Sequence, residues 1–255
     1  EISLGLVGSE MCIRDRMPAA EVPAAEVVAE APAAETAAEA APAEETARAK
    51  RARIKPAAEA VVTETEEEAA AIAREKAASL SREQKYFRGL YTGGTFAEET
   101  LMTFRAVAPE IALHTNRDNT KYAARLQTHK HSEGHTLLDM GDLDFTAEAP
   151  HTVFDPTQRV ERLRQELADP EVALVAMDII LGPGVAPDPA SCYVPLMRSR
   201  PDVIYVCAVC GGEGDPQGKD DIARMLREAG AVVADSNYES ARLCAMICRQ
   251  LGRRE

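Results

Sequence analysis

From residue 85 onward the chain alternates between two apolar patterns. Compact apolar runs recur at 85–91 (KYFRGLY), 135–141 (HTLLDMG), 171–181 (EVALVAMDIIL), 201–210 (PDVIYVCAVC) and 231–235 (AVVAD). The third and fourth are apolar nearly throughout, as a strand covered on both faces of a sheet must be. Between the runs lie helical spacings. In 155–170 (DPTQRVERLRQELADP), Val160, Leu163 and Leu167 share one helical face, Asp155 stands at the cap and Pro156 in the first turn. In 219–230, Ile222, Met225, Leu226 and Ala229 share a face and Gly230 supplies the stop. Thr95 with Glu98, and Ser236 with Glu239, have capping-box spacing, which predicts helices from there to about Ala106 and about Leu251. The polar stretch 114–134 reads as a long loop, and 142–154 as irregular.

Strands alternating with helices imply a mostly parallel sheet with right-handed crossovers. The expected fold is α/β: a single flavodoxin-like, doubly wound domain over residues 84–255, long enough to bury a core of its own.

The residues ahead of it have a different composition. Residues 17–83 are dominated by Ala, Glu and Pro, without an aromatic residue. Such a segment buries too little apolar surface to offset its ordering entropy, so 17–60 is expected as a disordered tail. The Pro-free stretch 61–80 is expected to be helical. Residues 6–16, LVGSEMCIRDR, resemble an in-frame translation of a sequencing-library adapter, and 1–16 are set aside as an artefact.

The formal charge of −13 and the absence of a basic stripe argue against nucleic acid as a partner; RAKRAR (48–53) is an isolated patch. The lack of a long apolar run argues against a membrane span. Without Cys12, five cysteines remain, an odd number set mostly in apolar segments, as expected of buried thiols in a reducing cytoplasm. Cys207 and Cys210 stand three apart in a strand and so face opposite sides of the sheet, which is a core arrangement rather than a redox or zinc motif. His129, His131 and His135 lack a matching Cys or acidic partner, so no metal site is expected.

In open α/β sheets, ligands bind beyond the carboxyl ends of the strands. Four glycine turns fall there: Gly93-Gly94 followed by Thr95, Gly141, Gly182 with Gly184, and Gly211-Gly212 with Gly214. Glycine lets backbone approach a ligand, and a following helix presents free N–H groups to an anion. Any one turn needs glycine merely to close; four on one edge make it a candidate site for phosphate or an acyl phosphate. Asp142, Asp144, Glu213 and Asp215 lie on the same edge.

Three blocks resemble the FdrA family of acyl-CoA synthetases in the succinyl-CoA synthetase superfamily: FRGLYTGGTFAEE, SEGHTLLDMGDLDFT with PHTVFDPTQRVERLRQELADPEVALVAMDIILGPGVAPDPA, and VCGGEGDPQ with LREAGAVVADSNYESARL. The resemblance spans about residues 84–250. It implies the superfamily's CoA-ligase domain, with CoA and ATP-Mg as cofactors. It also implies an acyl-CoA synthetase activity or, alternatively, a place in an oxamate carbamoyltransferase complex that uses carbamoyl phosphate. A non-catalytic assembly role is a third expectation. The superfamily's phosphohistidine loop has no counterpart in CGGEGDPQG (210–218). A full FdrA protein carries a Rossmann-type CoA-binding domain, and none is legible before residue 85, so CoA binding is expected to need a partner domain or subunit.

Overall fold

The computed structural model describes residues 66–254 except Asn119. The artefact assigned to 1–16 and the tail assigned to 17–60 lie outside the described residues. The elements in chain order are α1 (Glu66–Ser79), β1 (Tyr86–Tyr91), α2 (Gly94–Val107), β2 (Leu113–Thr115), β3 (Ala124–Arg125), β4 (His135–Asp139), α3 (Leu143–Thr146), α4 (Thr157–Leu167), β5 (Val172–Ile180), a 3-10 turn at Ser191–Tyr193, α5 (Val194–Ser199), β6 (Ile204–Cys210), α6 (Lys219–Glu228), β7 (Val232–Ala234) and α7 (Asn237–Gly252).

The strands form one sheet in the order β3-β2-β4-β1-β5-β6-β7, and every pairing is parallel. Leaving out β2 and β3, the order is that of flavodoxin: second, first, third, fourth, fifth. The chain winds outward from β1 to one side and returns to β5 on the other, so β1 and β5 flank the switch point.

Each face of the sheet carries its own core. Phe87, Tyr91, Leu174, Ala176 and Val206 pack under α1, α2 and α7; Leu90, Val175, Met177, Tyr205 and Cys207 pack under α4, α5 and α6. The alternation along β5 and β6 is the period of two that a strand buried on both sides requires. Cys207 lies wholly in the core, where burial pushes its thiol up to about 12; Cys210 is half-buried. Helix α1 contributes Ala69, Ala73 and Ala77, a stripe of small side chains at a spacing of four. All three are buried, and Ala73 and Ala77 join the same core as the helix α7 residues.

Several local expectations need correction. The stretch 114–134 is not one loop: it contains two short strands, β2 beginning one residue earlier, and the edge strand β3. They are too short to show a period, and β3 is exposed at both residues. Helix α2 begins at Gly94, capped by extended Gly93 without a side-chain bond, so Thr95 is not its cap. Glu98 does not close a box; its carboxylate takes Arg117 and Thr120 instead. Asp155 accepts from the Thr157 N–H and hydroxyl just ahead of α4, while Pro156 occupies the cap position. The irregular stretch 142–154 holds the single-turn helix α3. At the second site Ser236 is the cap of α7, its hydroxyl accepting from the Glu239 N–H at 3.2 Å.

Helix α4 is more polar inside than its apolar face suggests. Arg159, Arg162 and Glu166 are all buried. Glu166 joins Arg88 of β1 (2.6 Å) to Arg162 (2.5 Å), and the Ser132 hydroxyl donates to it at 2.7 Å. Arg88 also donates to the Gly134 carbonyl and Arg162 to the His129 carbonyl, so this network ties the 129–134 segment to α4 and β1.

His135 opens β4 with its Nδ1 accepting from the Phe87 N–H at 3.1 Å. Burial, with the Arg88 charge beside it, pulls its pKa from 6.5 down to about 4. Between those values the unfolded chain binds a proton that the folded chain does not. The stabilisation is present above pH 6.5, falls away as pH drops through this window and levels off below about 4. Urea midpoints followed from neutral pH to about pH 3.5 should show this decline, and His135→Gln should flatten it. Identical profiles for both proteins would rule out His135 as its source.

Candidate functional site

The turns after β1, β4, β5 and β6 share the C-terminal edge of the sheet, because every strand runs the same way. They do not share one environment. Gly93-Gly94 and Gly141 form one cluster, and Gly182 and Gly211 form a neighbouring one.

At the switch point, β5 places Asp178 fully buried beneath the turn that follows β1. Its carboxylate accepts from the Thr92 N–H at 3.0 Å, from the Thr92 hydroxyl at 2.6 Å and from Arg159 Nη2 at 2.7 Å. Arg159 also donates from Nε and Nη2 to the Leu90 carbonyl and stacks over Tyr193 at 5.5 Å. A buried ion pair therefore holds the turn from which the 14-residue α2 starts. The first N–H groups of α2 have no intrahelical partner and open onto this edge. Thr95, in the first turn, is exposed.

Gly94 has a steric reason to be glycine. A Cβ there would collide with Arg117 Nη1 and lie 2.9 Å from Asp139 Oδ2. Arg117 thus rests on the start of α2, bonded to Asp139 at 2.6 Å and to Glu98 at 3.2 Å. Asp139, buried at the end of β4, also accepts from the Gly141 N–H at 3.0 Å. Burial raises its pKa, against the Gly141 bond and the Arg117 charge. Asn116, just past β2, fixes the Asp139 backbone through bonds of 2.9 and 3.0 Å.

Gly141 is equally constrained. A Cβ there would lie 2.5 Å from the Thr92 carbonyl and 2.6 Å from His151 Nε2. His151 Nδ1 accepts from the Val153 N–H at 3.2 Å, so the neutral ring carries its proton on Nε2, facing Gly141. Burial lowers its pKa, opposed by Asp139 and Asp178. This cluster holds three kinds of donor: helix N–H groups, an imidazole N–H and a guanidinium whose Nε and Nη1 already bond Glu98 and Asp139.

The second cluster is more self-satisfied. Gln217 accepts from the Gly182 N–H at 3.1 Å and donates to the Gly182 carbonyl at 2.9 Å. Gly184, at φ 84°, takes the left-handed conformation. Asp215 accepts the Gly212 N–H at 2.6 Å, which occupies a donor that a phosphate would otherwise use. Gly211 packs on Leu181, and Gly214 has open space around it. Among the described residues there is no group of three or more His, Cys, Asp or Glu that could hold a metal ion, and no helix long and apolar enough to cross a membrane.

Sequence reasoning did not single out Arg117, Asp139, His151, Arg159 or Asp178. A signal existed for the two acids: each is a lone charge near the carboxyl end of an apolar run. Arg117 and His151 come from patternless segments, and only the fold carries them to the edge.

The family model described as CoA-ligase matches residues 90–247. The chain is also 33% identical over 181 residues to the uncharacterized protein YahF of Escherichia coli (strain K12), over 68% of this chain and 35% of that protein. It thus spans about a third of the length of that curated relative. The matched stretch runs from the end of β1 into α7 and takes in every turn of the glycine edge, and the chain belongs to the CoA-ligase family.

Proposed function

We propose that this chain is the CoA-ligase part of an acyl-CoA synthetase of the FdrA type, and that it holds the phosphate of an acyl phosphate at the C-terminal edge of the sheet. The observation that carries this reading is the Thr92–Gly94 turn. It is fixed from below by Asp178, opens α2 at the switch point and has Arg117 lodged on its second glycine. Helix N–H groups and a guanidinium together favour a phosphate dianion. Gly141 extends the cradle toward His151, whose Nε2–H adds a donor. Gly182, Gly184, Gly211, Gly212 and Gly214 form the outer wall of the same edge. The domain is assigned to residues 84–255, with α1 of the preceding 17–83 segment docked on it.

In this reaction class a thiol sulfur forms a bond to the acyl carbon, the carbon–oxygen bond to phosphate breaks, and the thiol proton leaves to base or water. The part of this chain is to orient the phosphate and stabilise it as it departs. CoA is expected to reach the edge from a partner domain or subunit. The exposed side chains of Leu143 (73%) and Phe154 (59%), both in the segment after β4, suit such a cover. ATP-Mg belongs to the same reading, but the buried carboxylates here, Asp139 and Asp178, are both already engaged by arginines.

Titration of the chain with acetyl phosphate, carbamoyl phosphate and CoA separately tests the reading. Acetyl phosphate should bind, and Gly94→Ala, which displaces Arg117, should weaken it about tenfold when measured well below a melting temperature that falls because buried Asp139 loses its counter-charge. Equal affinity in both proteins would remove the α2 turn from the site. A response to carbamoyl phosphate alone would move the activity to carbamoyl transfer.

A further inference from the structure

We propose that a second anion site, independent of the glycine edge, lies at the opposite, N-terminal edge of the sheet and takes a small molecule bearing phosphate groups. The cavity there has a volume of about 810 Å³, within the range of small-molecule sites. It opens where β1, β2 and β4 begin and where α2 and α7 end.

In a chain with a formal charge of −13, five cations line this one cavity: Arg82, Lys85, Arg249, Arg253 and Arg254. Among the described residues one acid, Glu110, lines it with them, paired to Arg249 at 3.1 Å. Helix C-termini attract cations, and this accounts for two of the five. Arg249 donates to the Val107 carbonyl at the end of α2, and Arg254 to the Leu80 carbonyl just past α1. Lys85 makes an exposed pair with Glu171 at 3.5 Å, which is worth little. Arg82 and Arg253 have no partner among the described residues, and both are exposed at the mouth.

Two imidazoles, His114 and His135, line the same cavity. His114 sits over Gly134 with its Nδ1 buried and without a hydrogen-bond partner among the described residues. His135, beside it, uses Nδ1 on the Phe87 N–H and so carries its proton on Nε2. Several guanidiniums with one ammonium suit a group with three or more acceptor oxygens better than a single carboxylate does.

The test is calorimetric titration of the full chain with pyrophosphate and, in parallel, ADP. Pyrophosphate should bind the wild type, and the surface double variant Arg82→Glu/Arg253→Glu should weaken it at least about tenfold at unchanged melting temperature. Arg82→Lys/Arg253→Lys should retain most of the affinity, and Gly94→Ala should leave it untouched. Tighter binding of ADP than of pyrophosphate would identify a nucleotide as the ligand class; equal binding, the phosphates alone. No binding at millimolar pyrophosphate or ADP, equal binding by the charge-reversed variant, or loss of binding in Gly94→Ala would each overturn the proposal.

Discussion

Asp178→Ala is expected to cost about 3–5 kcal/mol of stability, because it leaves a buried guanidinium without its counter-charge. Arg159 is 2% exposed and cannot turn to solvent. It would keep its bonds to the Leu90 carbonyl, which do not neutralise it. The Thr92 N–H and hydroxyl would lose their acceptor in the same step. At roughly 2–4 °C per kcal/mol for a domain of this size, the melting temperature should fall by about 6–20 °C. Adding Arg159→Met should recover part of the loss, since an apolar replacement removes the stranded charge, and a double-mutant cycle would measure the coupling. A single variant that melts with the wild type would show that the pair does not hold the switch point. Where Asp178→Asn still folds, its acetyl phosphate affinity reports how far the cradle depends on the Thr92 latch.

Glu166→Ala should be at least as damaging locally. One carboxylate serves two nearly buried guanidiniums, Arg88 (3% exposed) and Arg162 (5%). Each keeps other acceptors: Arg88 bonds Asp169 and the Gly134 carbonyl, and Arg162 bonds Ser132 and the His129 carbonyl. The expected loss is again about 3–5 kcal/mol, with Glu166→Gln milder because its amide oxygen still accepts. The network holds the 129–134 segment, so amide exchange there and at the start of β4 should rise above that of the β5–β6 core. Uniform exchange across the sheet in the variant would mean that the network does not anchor this segment.

The two networks mark where local pattern and tertiary structure part. An amphipathic reading of α4 finds Val160, Leu163 and Leu167 and assigns the charges around them to water. Yet Arg159, Arg162 and Glu166 are buried, because β1, β5 and the 129–134 segment bring them acceptors and counter-charges. Such partners are distant in sequence; Arg159 and Leu90 lie 69 positions apart. No periodicity within a window can report them. Short strands fail for a related reason: β2 and β3 have three and two residues, fewer than alternation needs to show. The slip at α2 follows from a competition, since Glu98 has Arg117 and Thr120 within reach and leaves the cap to the backbone.

The candidate site divides in the same way. The glycine turns were legible because glycine after an apolar run marks a strand's carboxyl end, and parallel strands put those ends on one edge. Which turns meet was not legible. Gly94 and Gly141 are drawn together through Arg117, Asp139, Thr92 and His151, whereas Asp215 already holds the Gly212 amide. The N-terminal-edge cavity was invisible for the same reason, as its cations come from residues near 82 and near 253.

By itself, then, the order of apolar runs and helical stripes determined the α/β class and a mostly parallel, doubly wound sheet. Burial on both faces demands an apolar residue at nearly every strand position, and that demand is local. Only the tertiary structure decided which charges are buried, which glycines form the cradle and where the second cavity opens. Those depend on partners that chain distance hides and folding brings within hydrogen-bond reach.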